Sequence, residues 1–323
     1  MNMSPTKSRS FVIRFGVVLL AALLPLALLV GLEMLAAPPP PSPQASRIAN
    51  ELDRLLQIRL RETFTIAAFP SLRAFAASDA ATRAQRASVA LNELQAWVAA
   101  DSPLREAFVV DTQGKVILTT GKSWNQDWST RTFIKAALAG KLDISPPAHD
   151  VNEFSQYYAA PILDNRDNVA GALVARIAAQ ELWEGVNAAS DPTGGSFAVL
   201  VDENGVRLAD GGDPSQNLVA LAPLTADEQT RVVKEQTYGA QVTLVRTTNL
   251  NRAAGLIRSG SLDLLAPRDL GVGALGAQRL TTKPWTVLIL APAPSITQTL
   301  SRLYLPLLVA ILGAALATIL LSR

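Results

Sequence analysis

The chain has no cysteine and a single histidine, His149. Without thiolates and with one imidazole, disulfides and the common transition-metal ligand sets are out of reach, so neither a metal nor a cofactor is expected. Charge is scarce as well. Asp, Glu, Lys and Arg make up 17% of the 323 residues and nearly cancel, leaving a net charge of +2. Phosphate backbones require concentrated Lys and Arg, so nucleic acid is excluded as a partner. There is no Gly-rich phosphate loop and no Ser-centred elbow, and His149 falls in the loop-like stretch PPAHDVNEF, where it reads as a surface residue. No catalytic residue is assigned, and the chain does not read as an enzyme.

What the chain has in plenty is apolar sequence, 49% of all residues, with two uncharged runs near its ends. Gly16 to Leu32 is uncharged over 17 residues and Leu303 to Leu321 over 19. A membrane-spanning helix needs about 20 residues, with a range of roughly 17 to 25, so both runs qualify. Lys7, Arg9 and Arg14 precede the first run, and no basic residue follows it until Arg47. The positive-inside rule then keeps the N-terminus in the cytoplasm, and two spans put the middle region outside. A cleaved signal peptide is the competing reading of the first run, and it exports the middle region equally.

The middle region opens with a proline-stiffened spacer, APPPPSPQ at 37–44. Ile48, Leu52, Leu55, Leu56, Leu60 and Phe64 then recur at helical spacing up to Pro70, and a second helix is predicted over about 80–100, with Leu91, Leu94 and Val98 on one stripe. Next, FVVDTQGKVILTT from Phe108 spells strand, Asp-Gly turn, strand. The phrase returns as AVLVDENGVRLAD from Ala198, with Asp202 and Gly205 at the places of Asp111 and Gly114, 91 residues later. Helical stretches and further strands follow each copy: 157–162 and 168–177 in the first, and 239–246, 273–280 and 285–292 in the second. Two tandem α+β modules are expected, each an antiparallel sheet with helices packed on it.

Three stretches carry a resemblance: NQDWSTRTFIKAALAGK at 125–141, YYAAPILDNRDNVAGALVARI at 157–177 and KPWTVLILAP at 283–292. In that order they resemble the Arg-x-aromatic helix start, the Pro-Ile hairpin with its Gly-rich strand, and the terminal Trp strand of the double Cache (dCache) sensor domains of bacterial transmembrane receptors. The resemblance implies an α+β fold in which a long N-terminal helix precedes two tandem PAS-like modules, flanked by two transmembrane helices. The expected organisation is a cytoplasmic N-terminus at 1–14, a membrane helix at 15–37, and spacer and long helices at 38–103. A membrane-distal, ligand-binding module at 104–190 and a membrane-proximal module at 191–302 follow, then a membrane helix at 303–321 and a cytoplasmic end at 322–323. Residence in the inner membrane, signal transmission through the second membrane helix and a homodimer are implied too. So is either an output domain after Arg323 or a separate cytoplasmic signalling partner.

By the same resemblance the ligand is a small molecule, and Arg131 stands where the family binds a carboxylate. A guanidinium fork matches a carboxylate, and the helix start predicted here, capped by Ser129 or Thr130, favours an anion. An arginine resting at a helix end is the plainer reading of the same residue. Phe133, Trp128, Tyr157 and Tyr158 are candidate pocket walls; the two tyrosines are adjacent on a strand, so they point to opposite faces. Arg176 falls where the amino-acid-binding branch of the family has an Asp. That argues against a free amino acid and for an organic anion held between Arg131 and Arg176. The alternative is a membrane-anchored structural or protein-interaction module without a small-molecule ligand.

Overall fold

A computed structural model of the chain describes residues 43–123, 128–150, 153–190, 195–239 and 247–291. Among them no helix is long and apolar enough to cross a membrane, and the runs at 16–32 and 303–321 lie outside the described residues.

Helix α1 (Pro43–Ala67) buries Ala45, Ile48, Ala49, Leu52, Leu56, Leu60, Thr63 and Ala67, a stripe kept by three- and four-residue steps. The expected stripe is corrected at two places. Phe64 is exposed, because Thr63 takes the inward position, and Asp53 is buried. Asp53 accepts bonds from the backbone N–H of Thr281 and of Thr282 and from the Thr281 hydroxyl, all at 2.8 to 2.9 Å. Pro70 does not simply end the helical region; it occupies the first turn of a short helix α2 (Pro70–Ala76), where a missing N–H costs nothing. Helix α3 spans Ala80–Ala100 and is capped by the Asp79 carboxylate, which accepts from Thr82 N–H.

The first sheet uses β1 (Leu104–Val110), β2 (Val116–Thr119), β3 (Asp143–Ile144), β4 (Ala148–Asp150), β5 (Glu153–Leu163) and β6 (Val169–Ala178), with helix α4 (Thr132–Leu138) between β2 and β3. Its order is β2-β1-β6-β5-β3, with β4 also on β5, and every pairing is antiparallel. One face, carrying Ala107, Val109, Leu173 and Ile162, packs on Leu72, Phe75 and Leu94 of α2 and α3. The other, with Phe108, Val110, Val174 and Tyr157, packs on Phe133, Ile134 and Ala137 of α4.

After helix α5 (Gln180–Ala188) comes the second sheet, order β8-β7-β10-β9, from β7 (Phe197–Val201), β8 (Arg207–Asp210), β9 (Ala274–Arg279) and β10 (Thr286–Ala291). Helices α6 (Ala226–Glu235), α7 (Asn251–Ser259) and α8 (Pro267–Leu270) lie between β8 and β9 in the chain. Of the strand expected at 239–246, residues 240–246 lie outside the described residues. Ala198, Leu200, Val287 and Ile289 of this sheet join Leu52, Leu56 and the first sheet's Tyr158 and Ile177 in one core. Helix α1 thus packs on both sheets.

The two hairpins close alike. Asp111 Oδ1 accepts from the N–H of Gln113 and of Lys115, and Asp202 Oδ1 from those of Asn204 and Val206. Gly114 and Gly205 take the left-handed position, at φ +80° and +75°, which costs glycine nothing. The β5–β6 turn repeats the pattern around Asp164, with Asp167 at φ +60° in the glycine's place.

Candidate functional site

Arg131 is itself the residue before the first turn of α4 (φ −66°, ψ 132°), and no side chain caps that helix. The expected Ser129 or Thr130 cap is therefore corrected, and Arg131 lies outside the first turn. Its side chain is buried and held on three sides. Nη2 donates to both oxygens of Asp150 at 3.2 Å, Nη1 donates to the carbonyl of Gln236 at 2.7 Å, and the guanidinium lies 5.1 Å from the Trp128 ring centre. One nitrogen spans the carboxylate, so the two-nitrogen fork is not used, and among the described residues Nε has no acceptor.

Antiparallel register brings Arg176 to the same side. It stands between Glu106 on β1 and Tyr157 on β5, on the face that carries Phe108 and Val174. Its Nη2 donates to Glu153 at 2.9 Å, and Nε lies 3.6 Å from Glu106, an ion pair too long for a hydrogen bond. Glu106 is occupied, accepting from the Thr119 hydroxyl at 2.6 Å and the Ser123 N–H at 3.0 Å. Among the described residues, Arg176 Nε and Nη1 and the hydroxyls of Ser155 and Ser123 are buried without a hydrogen-bond partner.

The aromatic candidates divide between the two faces. Trp128 lies 6.2 Å from Phe133 and 5.1 Å from Tyr157, and the Phe133 and Tyr157 rings stack at 5.5 Å. Tyr157 donates to Asp150 at 3.2 Å; burial first, then that carboxylate, raises its phenol above the usual range. Tyr158 points the other way, into the core under α1, where its hydroxyl donates to Gln156 at 2.8 Å. The structure thus brings together Arg131, Arg176, Trp128, Phe133 and Tyr157, and sets Tyr158 apart.

Sequence reasoning missed Asp150, Glu106 and Gln236. A signal existed for Glu106 alone: alternation along LREAFVV puts it on one face with Phe108 and Val110, an inward position where a carboxylate needs a partner. The carboxylates change the electrostatics, because two buried guanidiniums face Asp150 and Glu106, with the half-exposed Glu153 at the edge. The argument against a free amino acid therefore does not follow from Arg176, since acceptors for an ammonium are present on the same face. His149 is corrected too: it lies in β4 rather than in a loop, its ring 4.7 Å from that of Phe154. Among the described residues no group of His, Asp and Glu could hold a metal ion.

A cavity of about 240 Å³ adjoins Arg131, with Phe133 and the 143–146 segment on one side and Asn204, Arg231 and Gln236 on the other.

No protein-family model and no curated protein sequence matches the chain. Solved structures do. The sensor domain of the histidine kinase DctB from V. cholerae is 14% identical with a TM-score of 0.57, the match covering 77% of this chain and 94% of that one. The extracellular domain described as that of a histidine kinase, mmHK1S-Z2, is 13% identical with a TM-score of 0.50, covering 77% and 94%. Both are sensing or extracellular domains rather than catalytic ones. At such identities the likeness speaks for the fold alone: the described chain shares with these domains an α+β fold of antiparallel sheets behind a long N-terminal helix.

Proposed function

We propose that the chain is the sensing region of a membrane-anchored receptor, carried outside the cytoplasm by the apolar runs at 16–32 and 303–321. It binds a small organic ligand through a carboxylate on the Arg131–Arg176 face of the first module. Binding shifts the second module, and the displacement leaves through the second membrane helix towards an output domain or a cytoplasmic partner, in a homodimer.

The observation that carries this reading is the set of idle donors. Nε of Arg131 and Nε and Nη1 of Arg176 are buried on one face without acceptors among the described residues. A buried donor left unmade costs about 1 to 3 kcal/mol. A ligand carboxylate would supply the acceptors, and the packed rings of Trp128, Phe133 and Tyr157 would exclude water around it. Asp150 holds Arg131 in place until the ligand arrives and is the group the ligand competes with.

The test is a thermal-shift screen of the full chain in detergent against mono- and dicarboxylates, amines and sugars, followed by calorimetry. Saturable binding of a carboxylate, weakened by Arg131→Lys, supports the reading. If only cationic amines bind, the anion assignment is wrong. If nothing binds, the alternative of an anchored structural or protein-interaction module takes its place.

A further inference from the structure

We propose that the second module holds a ligand site of its own, an apolar cavity on the face of its sheet turned away from α1, taking a small net-neutral molecule with a hydrocarbon body and one polar head. The site is separate from the Arg131–Arg176 face, and the proposal does not rest on it.

The repeat itself locates the cavity. Counting back from the turn aspartates, Glu106 in the first module corresponds to Phe197 in the second, since each lies five residues before its Asp. Register extends the match: Glu106 pairs with Arg176, and Phe197 pairs with Leu290. Where the first module buries an ion pair, the second places two apolar side chains. Beneath them lies a half-open cavity of about 370 Å³, floored by Val199, Leu288 and Leu290 and walled by Leu250 and Val272. That volume falls within the range of about 300 to 1,000 Å³ typical of small-molecule sites.

The polar end is built from Arg207 and Asp210, whose side chains are 11% and 7% exposed and 3.7 Å apart. Asp210 Oδ1 already accepts from the N–H of Gly212 and of Asp213. Arg207 is less well served. Its hydrogen bond among the described residues is a long one, 3.4 Å from Nη1 to Gln216, so donors are left over at the cavity's rim. An anion would compete with Asp210 for this guanidinium, and a cation with Arg207 for the carboxylate; either would leave one charge uncompensated in a poorly hydrated pocket. A hydroxyl, accepting from Arg207 and donating to Asp210, adds none. Hydrocarbon against the leucines supplies the affinity, at roughly 25 cal/mol per Å² buried.

Four water-soluble probes share one branched hydrocarbon body: 3-methylbutan-1-ol, the zwitterion leucine, 4-methylpentanoate and 3-methylbutylamine. The full chain, methyl-labelled at Leu and Val, is titrated in lipid nanodiscs. The expected result is a saturable shift of the Leu288 and Leu290 methyl signals with the alcohol or the zwitterion. The carboxylate and amine should bind at least about tenfold more weakly, the cost of one unmatched charge–charge contact. Val272→Trp should close the mouth and abolish the shifts, and Val199→Phe does the same from the floor should the first variant fail to fold. Methyl shifts absent with every probe, or unchanged in both cavity variants, would overturn the site. Tightest binding of the carboxylate or the amine would overturn the ligand class.

Discussion

The carbonyl of Gln236, at the C-terminal end of α6, accepts a 2.7 Å hydrogen bond from Nη1 of Arg131, at the start of α4. The same guanidinium grips Asp150 on β4, so a single side chain ties the first module's candidate ligand face to the second module. Next to it, the His149 N–H donates to the carbonyl of Tyr238 at 2.9 Å. Under the proposed receptor reading, a ligand that drew Arg131 away from Asp150 would pull on the 236–239 turn as well, which is the kind of link between ligand and output that a two-state receptor needs.

Arg131→Ala should destabilise the chain by about 3 to 5 kcal/mol, because it leaves the buried Asp150 carboxylate without the guanidinium that balances its charge. Asp150→Leu added to Arg131→Met should recover most of that loss. Arg131→Lys keeps the charge but loses the planar donors, and it should weaken carboxylate binding roughly 10- to 150-fold, the cost of about 1.5 to 3 kcal/mol in charge-assisted bonds. Denaturant melts and calorimetry check the two effects separately. A lysine variant that binds as tightly as the parent would move the ligand elsewhere.

Gly239 has φ +105°, and a Cβ placed there would lie 2.3 Å from the carbonyl oxygen of His149. Gly239→Ala should therefore push the 236–239 turn off β4 and cost about 2 to 4 kcal/mol, from backbone strain and overpacking together. A melting temperature unchanged within a degree would show that the turn is not pressed against β4.

Asp53 should make the chain acid-sensitive. Burial works to raise its pKa, but the bonds from Thr281 and Thr282 outweigh it and hold the carboxyl below its ordinary value. A carboxyl depressed in the folded state stabilises it above the unfolded-state value near 4, and the contribution is lost as pH falls through the lower folded value. Wild type should thus exceed Asp53→Ala in stability at pH 7 by about 1 to 2 kcal/mol, from the lost charge-assisted hydrogen bonds to the part-buried Thr281 and Thr282. That gap should shrink below pH 4. A constant gap down to pH 2 would contradict it.

Asp202 should act with the opposite sign. Buried beside Tyr238 and with Glu203 next to it, its carboxyl is pushed up to about 7, chiefly by loss of water. Its folded state holds the proton more tightly than the unfolded one, so its contribution falls as pH rises from about 4 to 7 and levels off above. Asp202→Asn keeps an acceptor for the Asn204 and Val206 N–H groups and removes this slope. Urea melts of both proteins between pH 4 and 8 should converge at the acid end; parallel curves would refute the assignment.

The membrane topology is checked by fusion. Alkaline phosphatase joined after residue 200 should be active and joined after Lys7 inactive, as the charge asymmetry around the first apolar run requires. Loss of activity at residue 200 would remove the extracytoplasmic placement.

Much of the fold was legible because its signals are local. Asp111 with Gly114, and Asp202 with Gly205, spell a turn whose hydrogen bonds close within five residues. Helix α3 begins after Asp79 and ends near the predicted limit because its cap and its stripe are both written in sequence. Strands β3 and β4, of two and three residues, are too short to show alternation and are held by pairing with β5. The site was half legible for the same reason. Arg131, Phe133 and Arg176 stood out through a motif and through strand alternation, whereas Asp150 and Gln236 reach Arg131 across 19 and 105 positions with nothing between to announce them.

Helix α1 has a further consequence. Its early turns are fastened to the β9–β10 connection through Asp53, and its later turns reach Glu181 and Asp101 through Arg59, with bonds of 2.6 and 2.5 Å. Its apolar stripe is the shared floor of both sheets, so neither half of the chain owns a complete interior. Severed near residue 190, each fragment would present a bare row of alanine, leucine and isoleucine to water and would clump rather than refold. The pair should melt as one cooperative transition, and evolution could exchange the halves between receptors only by carrying the helix along or rewriting its inner face.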